Sequence, residues 1–91
     1  MELEYLVIIT SHSQAVFLYN ELIKKNCEVK IVSAPCSLAN GCSKCIRFKE
    51  RCMDLILEEI KNNKVKTKGI YKIIVSYNGS TKYIQVKGPE N

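Results

Sequence analysis

Blocks of apolar and polar residues along the chain predict five strands and two helices. Residues 4–10 are nearly all apolar and mostly β-branched, which indicates a central strand that is covered on both faces. Two later stretches repeat apolar residues at helical spacing, so each of them presents one apolar stripe. The predicted elements are, in order, a strand at 4–10, a helix that starts near 11 and ends at 24–26, strands at 29–33 and 45–48, a helix at 50–62, and strands at 69–77 and 80–87.

Short-range signals mark where several of these elements begin and end. Ser11 and Gln14 have the S-x-x-Q spacing of a capping box, so we expect the first helix to start there. Asn26 suits the left-handed residue that follows the end of a helix. Asn78 and Gly79, between two strand-like runs, predict a hairpin.

The order of the elements predicts an α+β fold. We expect a ferredoxin-like β-α-β-β-α-β two-layer sandwich with an extra C-terminal hairpin strand, in a single domain over residues 1–91. Because a right-handed crossover makes the first two strands parallel, their carboxyl ends share one edge of the sheet. That edge should collect His12, the loop at 34–44 and the lysine-rich linker at 64–68.

Composition narrows the class of protein. The fractions of hydrophobic residues, 46%, and of charged residues, 25%, are those of an ordinary globular protein rather than of a disordered or membrane chain. No apolar run approaches the roughly 18 residues of a membrane span, and the acidic start lacks the basic region of a signal peptide. We therefore expect a cytoplasmic protein with no membrane partner.

The charge of the chain favours no particular ligand. A net charge of +5 comes from twelve lysines and only two arginines, whereas planar recognition of phosphates and bases favours arginine. The aromatic cluster of an RNA-binding sheet is also missing from the predicted third strand. A nucleic-acid-binding domain is therefore a less favoured function.

Five cysteines carry most of the candidate chemistry. Their odd number and the expected reducing compartment favour metal, redox or sulfur-transfer roles over structural disulfides. Cys27 and Cys52 stand at positions that should be buried, so we interpret them as structural. The other three, Cys36, Cys42 and Cys45, have the spacing C-x5-C-x2-C within a loop poor in periodicity.

Three interpretations of the loop cysteines remain open. In the first, Cys42 is a nucleophilic thiolate, stabilised by the first turn of helix one, by His12 and Lys44, and by the lysine-rich linker. In the second, Cys42 and Cys45 form a redox pair, which requires a turn between them. In the third, Cys36, Cys42, Cys45 and His12 form a Cys3His site for zinc or iron. Arg47 could hold an anion near the site, or face solvent without a role.

The same residues follow a known pattern. Its opening part is matched by Ser11, His12 and Ala15, and its closing part by the Gly-Ile-Tyr at 69–71. Its central part is matched by Pro35, Leu38, Cys42, Ile46, Arg47 and Phe48. Residues 4–71 thus resemble the small bacterial family described as putative selenium/sulfur carrier protein-like, and residues 72–91 form a C-terminal hairpin extension beyond it.

The resemblance implies that Cys42 occupies the family's cysteine position and is the carrier thiol. Three residues depart from the family pattern. Cys36 replaces a common arginine, Cys45 a small apolar residue, and Ser43 the glycine after the cysteine. The two added cysteines make metal binding or an internal disulfide more plausible here than in the family.

The leading hypothesis is a sulfur or selenium carrier with a persulfide or selenopersulfide on Cys42 and with Cys36 or Cys45 as resolving thiol. Its partners would be a cysteine desulfurase or selenium donor and an acceptor protein. Such a chain is a carrier rather than a turnover enzyme and requires no cofactor. The alternatives are a zinc- or iron-binding module and a plain interaction domain. Because strand one is apolar on both faces, the helix-free side of the sheet should meet the hairpin or a second subunit in a homodimer.

Overall fold

The computed structural model of the chain describes residues 3–33 and 44–88 and contains the predicted order of elements. The strands are β1 (Glu4–Ile9), β2 (Val29–Ser33), β3 (Lys44–Lys49), β4 (Thr67–Val75) and β5 (Thr81–Lys87). The helices are α1 (His12–Lys24) and α2 (Met53–Asn62), and a 3-10 turn, Glu50–Cys52, leads into α2. Within the described residues no helix is long and apolar enough to cross a membrane.

The five strands form one sheet in the order β2-β3-β1-β4-β5, and every neighbouring pair is antiparallel. β1 and β2 therefore run in the same direction, because both are antiparallel to β3, which lies between them. The α+β class, with two helices and a five-stranded antiparallel sheet, is confirmed.

β1 is buried on both faces, as its apolar run predicted. Tyr5, Val7 and Ile9 face the side on which α1 packs and belong to the main core. Leu6 and Ile8 face the other side, where they are at most 2% exposed. A strand between two hydrogen-bonded neighbours, with side chains packed on both faces, requires this continuous apolar sequence.

The start of α1 uses the predicted residues in a different way. The Ser11 hydroxyl accepts a hydrogen bond from the backbone N–H of Gln14 at 3.4 Å, which confirms Ser11 as the N-cap. The Gln14 side chain reaches across to the segment before β4, where its Oε1 accepts from the backbone N–H of Lys66 at 3.1 Å. Gln14 thus connects the helix start to a residue 52 positions away, a link that local spacing does not reveal.

Both helices end in the same way. Asn26 after α1 and Lys64 after α2 have positive φ angles, 65° and 51°. In each case the next residue donates a backbone hydrogen bond to the carbonyl five residues earlier, from Cys27 to Leu22 and from Val65 to Ile60. This is the Schellman arrangement, and the prediction for Asn26 is confirmed.

We expect Lys64→Gly to raise the free energy of unfolding by about 0.5–1 kcal/mol, because glycine adopts the left-handed conformation without the steric cost that a Cβ imposes. The matched control is Lys61→Gly, inside α2, which should lower stability by about 1 kcal/mol. Urea unfolding of the two variants measures both effects, and two changes of the same sign would contradict the described helix end.

β4 begins two residues earlier than predicted. Thr67 pairs with Ile9 and is 3% exposed, so the end of the linker already belongs to the sheet. The register shifts between Ile8 and Ile9, and this irregularity, which depends on pairing between distant segments, extends the strand. The hairpin at Asn78 and Gly79 is confirmed, since the backbone N–H of Ser76 donates to the Ser80 carbonyl at 2.8 Å.

Candidate functional site

The loop that contains the candidate cysteines leaves and re-enters the sheet at one edge. Ser33, the last residue of β2, pairs with Lys44, the first residue of β3. Lys44 in turn pairs with Ile9, and Ile9 pairs with Thr67. The end of β2, the start of β3, the end of β1 and the start of β4 therefore form one row, which we call the loop edge.

Hydrogen bonds join the first turn of α1 and the linker at the loop edge. The backbone N–H of Thr10 donates to the Lys66 carbonyl at 3.3 Å. The Thr10 hydroxyl donates to the same carbonyl at 3.4 Å, and Gln14 accepts from the Lys66 N–H. Three features that are far apart in the sequence, the helix start, the loop ends and the basic linker, thus lie together.

The loop edge favours an anion. It has the N-terminus of α1, whose first turn contains no acidic residue and which carries the positive end of the helix dipole. It also has Lys44, the first residue of β3, Lys66, which directly precedes β4, and exposed His12, the first residue of α1. Among the described residues at these chain ends there is no carboxylate, so the local charge is positive.

Cys36 and Cys42 lie outside the described residues. The carrier role of Cys42, its redox pairing and its share in a metal site therefore stay predictions. In the sequence, Cys42 precedes Lys44, the first residue of β3, by two positions.

Cys45 lies on the helix-free side of the sheet and is completely buried. It packs with Leu6 and Ile8, and the partly buried Val32, Tyr71 and Tyr83 lie against this cluster. Burial raises the pKa of Cys45 to about 11. At neutral pH its thiolate fraction is therefore about a hundredfold smaller than that of a free thiol, which weighs against Cys45 as a resolving thiol.

The burial of this cluster removes one reason for the predicted homodimer. Leu6, Ile8 and Cys45, at the centre of the helix-free side, are already covered within one chain. A second subunit is not needed to remove them from water.

Arg47 forms an ion pair with Glu4. Its guanidinium donates two hydrogen bonds to Glu4, from Nε to Oε1 at 3.0 Å and from Nη2 to Oε2 at 2.9 Å. These bonds hold the pKa of Glu4 below its ordinary value and raise the pKa of Arg47. Arg47 stands three residues along β3 from Lys44, roughly 10 Å away. Arg47 and Glu4 line a cleft of about 120 Å³ toward the Lys49 end of β3, together with Glu28, Lys30 and Lys49.

The structure does not bring His12 and Cys45 together. Cys45 faces the helix-free side, whereas His12 starts the helix that packs on the opposite side. Among residues 3–33 and 44–88 no group of three or more His, Cys, Asp or Glu side chains is arranged to hold a metal ion. Because two of the four predicted ligands lie outside these ranges, the metal site stays a prediction, and the placement of Cys45 weighs against it.

Cys27 and Cys52 are 8% and 4% exposed and lie in the main core, as predicted. Burial, together with a hydrogen bond to Cys52, raises the pKa of Cys27 to about 11. Cys27 is therefore a protonated packing group at neutral pH, and Cys52 is buried in the same core.

The sequence interpretation missed Glu4 as the partner of Arg47 and Gln14 as the link to the linker. Both contacts span more than 40 residues, and no local spacing indicates them.

Comparison with known proteins agrees with the earlier resemblance. Residues 4–72 match the family described as "Putative Se/S carrier protein-like", which is more than two thirds of the chain and ends within β4. A comparison with curated proteins gives no match. The matched segment includes the loop edge and the whole cysteine loop. The chain therefore belongs to the Putative Se/S carrier protein-like family.

Proposed function

We propose that this protein carries sulfur or selenium on the thiol of Cys42 and delivers it to an acceptor protein. The observation that carries the proposal is the family match over residues 4–72, which includes Cys42. The loop edge supplies the physical support, because lysines and a helix N-terminus stabilise a thiolate and lower its pKa.

Loading would proceed by thiolate attack. The Cys42 thiolate attacks the terminal sulfur of a persulfide on a donor enzyme such as a cysteine desulfurase, and a new S–S bond forms at Cys42. The donor's S–S bond breaks and its cysteine leaves as a thiolate. Sulfane sulfur thus moves between proteins with no net oxidation, and a selenopersulfide would form in the same way. The chain acts as a carrier rather than as a turnover enzyme, because each sulfur that it accepts is passed on to an acceptor protein.

A resolving thiol, where one is used, is better assigned to Cys36 than to Cys45. Cys45 is completely buried with a pKa of about 11, so it offers little thiolate to attack a persulfide on Cys42. Cys36 lies in the same loop, six residues before Cys42.

Intact mass spectrometry after incubation with a cysteine desulfurase and its substrate tests the proposal. We expect a gain of about 32 Da per sulfur, or about 80 Da per selenium with a selenium donor, that reductant removes. Cys42→Ser should abolish the gain because the accepting sulfur is missing.

Cys45→Ala is the matched control and should keep the full gain, since its thiol is buried. A Cys42→Ser protein that still gains the mass, or a wild-type protein that never does, contradicts the proposal. Elemental analysis of the same sample separates carriage from the alternative, because about one equivalent of zinc or iron would favour the metal-binding module.

We also propose that the domain is ferredoxin-like in its first four strands. In the order β2-β3-β1-β4 the parallel strands β1 and β2 are separated by antiparallel β3, which is the split β-α-β connection. In this arrangement the end of β2, the start of β3 and the start of α1 lie at the same edge, which supports carriage by Cys42.

A further inference from the structure

The positive charge of this protein is concentrated in one segment. Residues 64–88 contain six of the twelve lysines and none of the nine acidic residues. The rest of the chain has one more acidic than basic residue. The net charge of +5 therefore comes from the β4–β5 hairpin and the linker before it, rather than from an evenly basic surface.

β5 is the outermost strand of this basic hairpin. Within the described part of the chain it pairs only with β4, so its second edge has no strand beside it. All seven residues of β5 except Tyr83 are exposed. An open strand edge presents unpaired N–H and C=O groups, which can accept a further strand.

Lysine and apolar side chains alternate on one face of the hairpin. Lys72 pairs with Ile84, and Ile74 pairs with Lys82, so each cation has an apolar neighbour across the strands. Ile84 and Val86 of β5 are each 49% exposed, and Ile74 is 36% exposed. This pattern suits an extended partner that presents an acidic and an apolar side chain two residues apart on the same face.

A second copy of this chain is a poor occupant of that edge. Lysines on an edge strand discourage pairing between identical strands, because like charges repel. An acidic strand gains from the same lysines, so charge selects it against the chain's own hairpin.

We propose that the β5 edge binds an extended acidic segment of a partner protein as a sixth strand of the sheet. The main-chain hydrogen bonds supply affinity, and Lys82 and Ile84 supply selectivity for an acidic and an apolar residue two positions apart in the added strand. The surface goes beyond sulfur carriage, because β5 lies outside the family match over residues 4–72 and involves no cysteine. Its occupant can be a donor or an acceptor of the carried atom, yet binding is measured without any loading step.

Fluorescence anisotropy of the reduced full-length chain with the labelled peptide Glu-Thr-Val-Thr-Glu-Thr-Val, which places glutamate and valine in turn on one face of the strand, tests the proposal. Two further peptides are N-methylated, one at the odd and one at the even residues. Since alternate residues of an added strand face its neighbour, one methylated peptide should lose binding and the other should keep it. Equal binding of both, or loss of both, overturns strand addition.

Lys82→Glu should weaken binding of the unmodified peptide about three- to tenfold, because it reverses one exposed charge on the edge. Lys61→Glu on α2 changes the net charge equally and should leave binding unchanged. Equal weakening by both variants overturns a specific site. Tighter binding of a single-stranded RNA of the same length, weakened by Lys82→Glu, overturns the acidic protein segment in favour of nucleic acid.

Discussion

Phe48→Ala is expected to lower the free energy of unfolding by about 3–5 kcal/mol, which removes much of the roughly 5–15 kcal/mol that stabilises a domain of this size. Phe48 is 1% exposed and lies in the main core between β1 and β2, opposite Tyr5 and Val29. Its ring stacks on that of Tyr5 with a centroid distance of 5.8 Å. Truncation removes this stacking and leaves a cavity beneath the helices. Urea unfolding followed by circular dichroism measures the loss.

The chain contains a matched control for this substitution. Its other phenylalanine, Phe17, is 45% exposed on α1, so Phe17→Ala should change stability by no more than about 0.5 kcal/mol. A loss below about 1 kcal/mol for Phe48→Ala would mean that the core collapses around the gap, and the described packing would be wrong.

The three buried cysteines are expected to react very slowly with a thiol reagent at neutral pH. Cys27, Cys45 and Cys52 are buried, so in the native protein they should react at least about a thousandfold more slowly than a free thiol. Mass mapping of the labelled protein identifies which cysteines react, and addition of urea should make all three accessible. Rapid labelling of Cys45 in the native protein would contradict its placement and restore it as a resolving thiol.

The raised pKa values of Cys27 and Cys45 also predict a loss of stability at alkaline pH. Both are raised from 9.0 to about 11 in the folded chain. Below pH 9 both states keep the thiol proton, so the contribution is constant. Between pH 9 and 11 the unfolded state loses its proton first, so stability falls by about 2 kcal/mol from Cys45, and Cys27 contributes a loss of the same sign.

Comparison of wild type with Cys45→Ala isolates this effect from the titration of lysine and tyrosine. The stability difference between the two proteins should shrink by about 2 kcal/mol as the pH rises from 8 to 11. A difference that stays constant over this range would show that Cys45 titrates normally.

Much of the fold could be predicted because its signals are local. The apolar run of β1, the N-cap Ser11, the left-handed Asn26 and the Asn78-Gly79 turn each act within a few residues, and the structure confirms all four. The boundary of β4 was missed because Thr67 becomes a strand residue only by pairing with Ile9.

In the candidate site, too, some features were predictable from the sequence and others were not. Its convergence at one sheet edge was predictable, because strand direction and helix connection determine which chain ends meet. The burial of Cys45 and the ion pair of Arg47 were not predictable. Cys45 was predicted both to begin the third strand and to act as a reactive thiol, and packing with Leu6 and Ile8 buries it. Arg47 was predicted either to hold an anion or to face solvent without a role, and its guanidinium binds Glu4.

The sequence by itself determined the elements, their order and the family, because these depend on residue type and short spacing. Only the tertiary structure decided that Cys45 is buried, which cations are already paired and which strand edge stays open. These properties depend on the solvation and charge that each group meets from residues far away in the chain, and no local pattern encodes them.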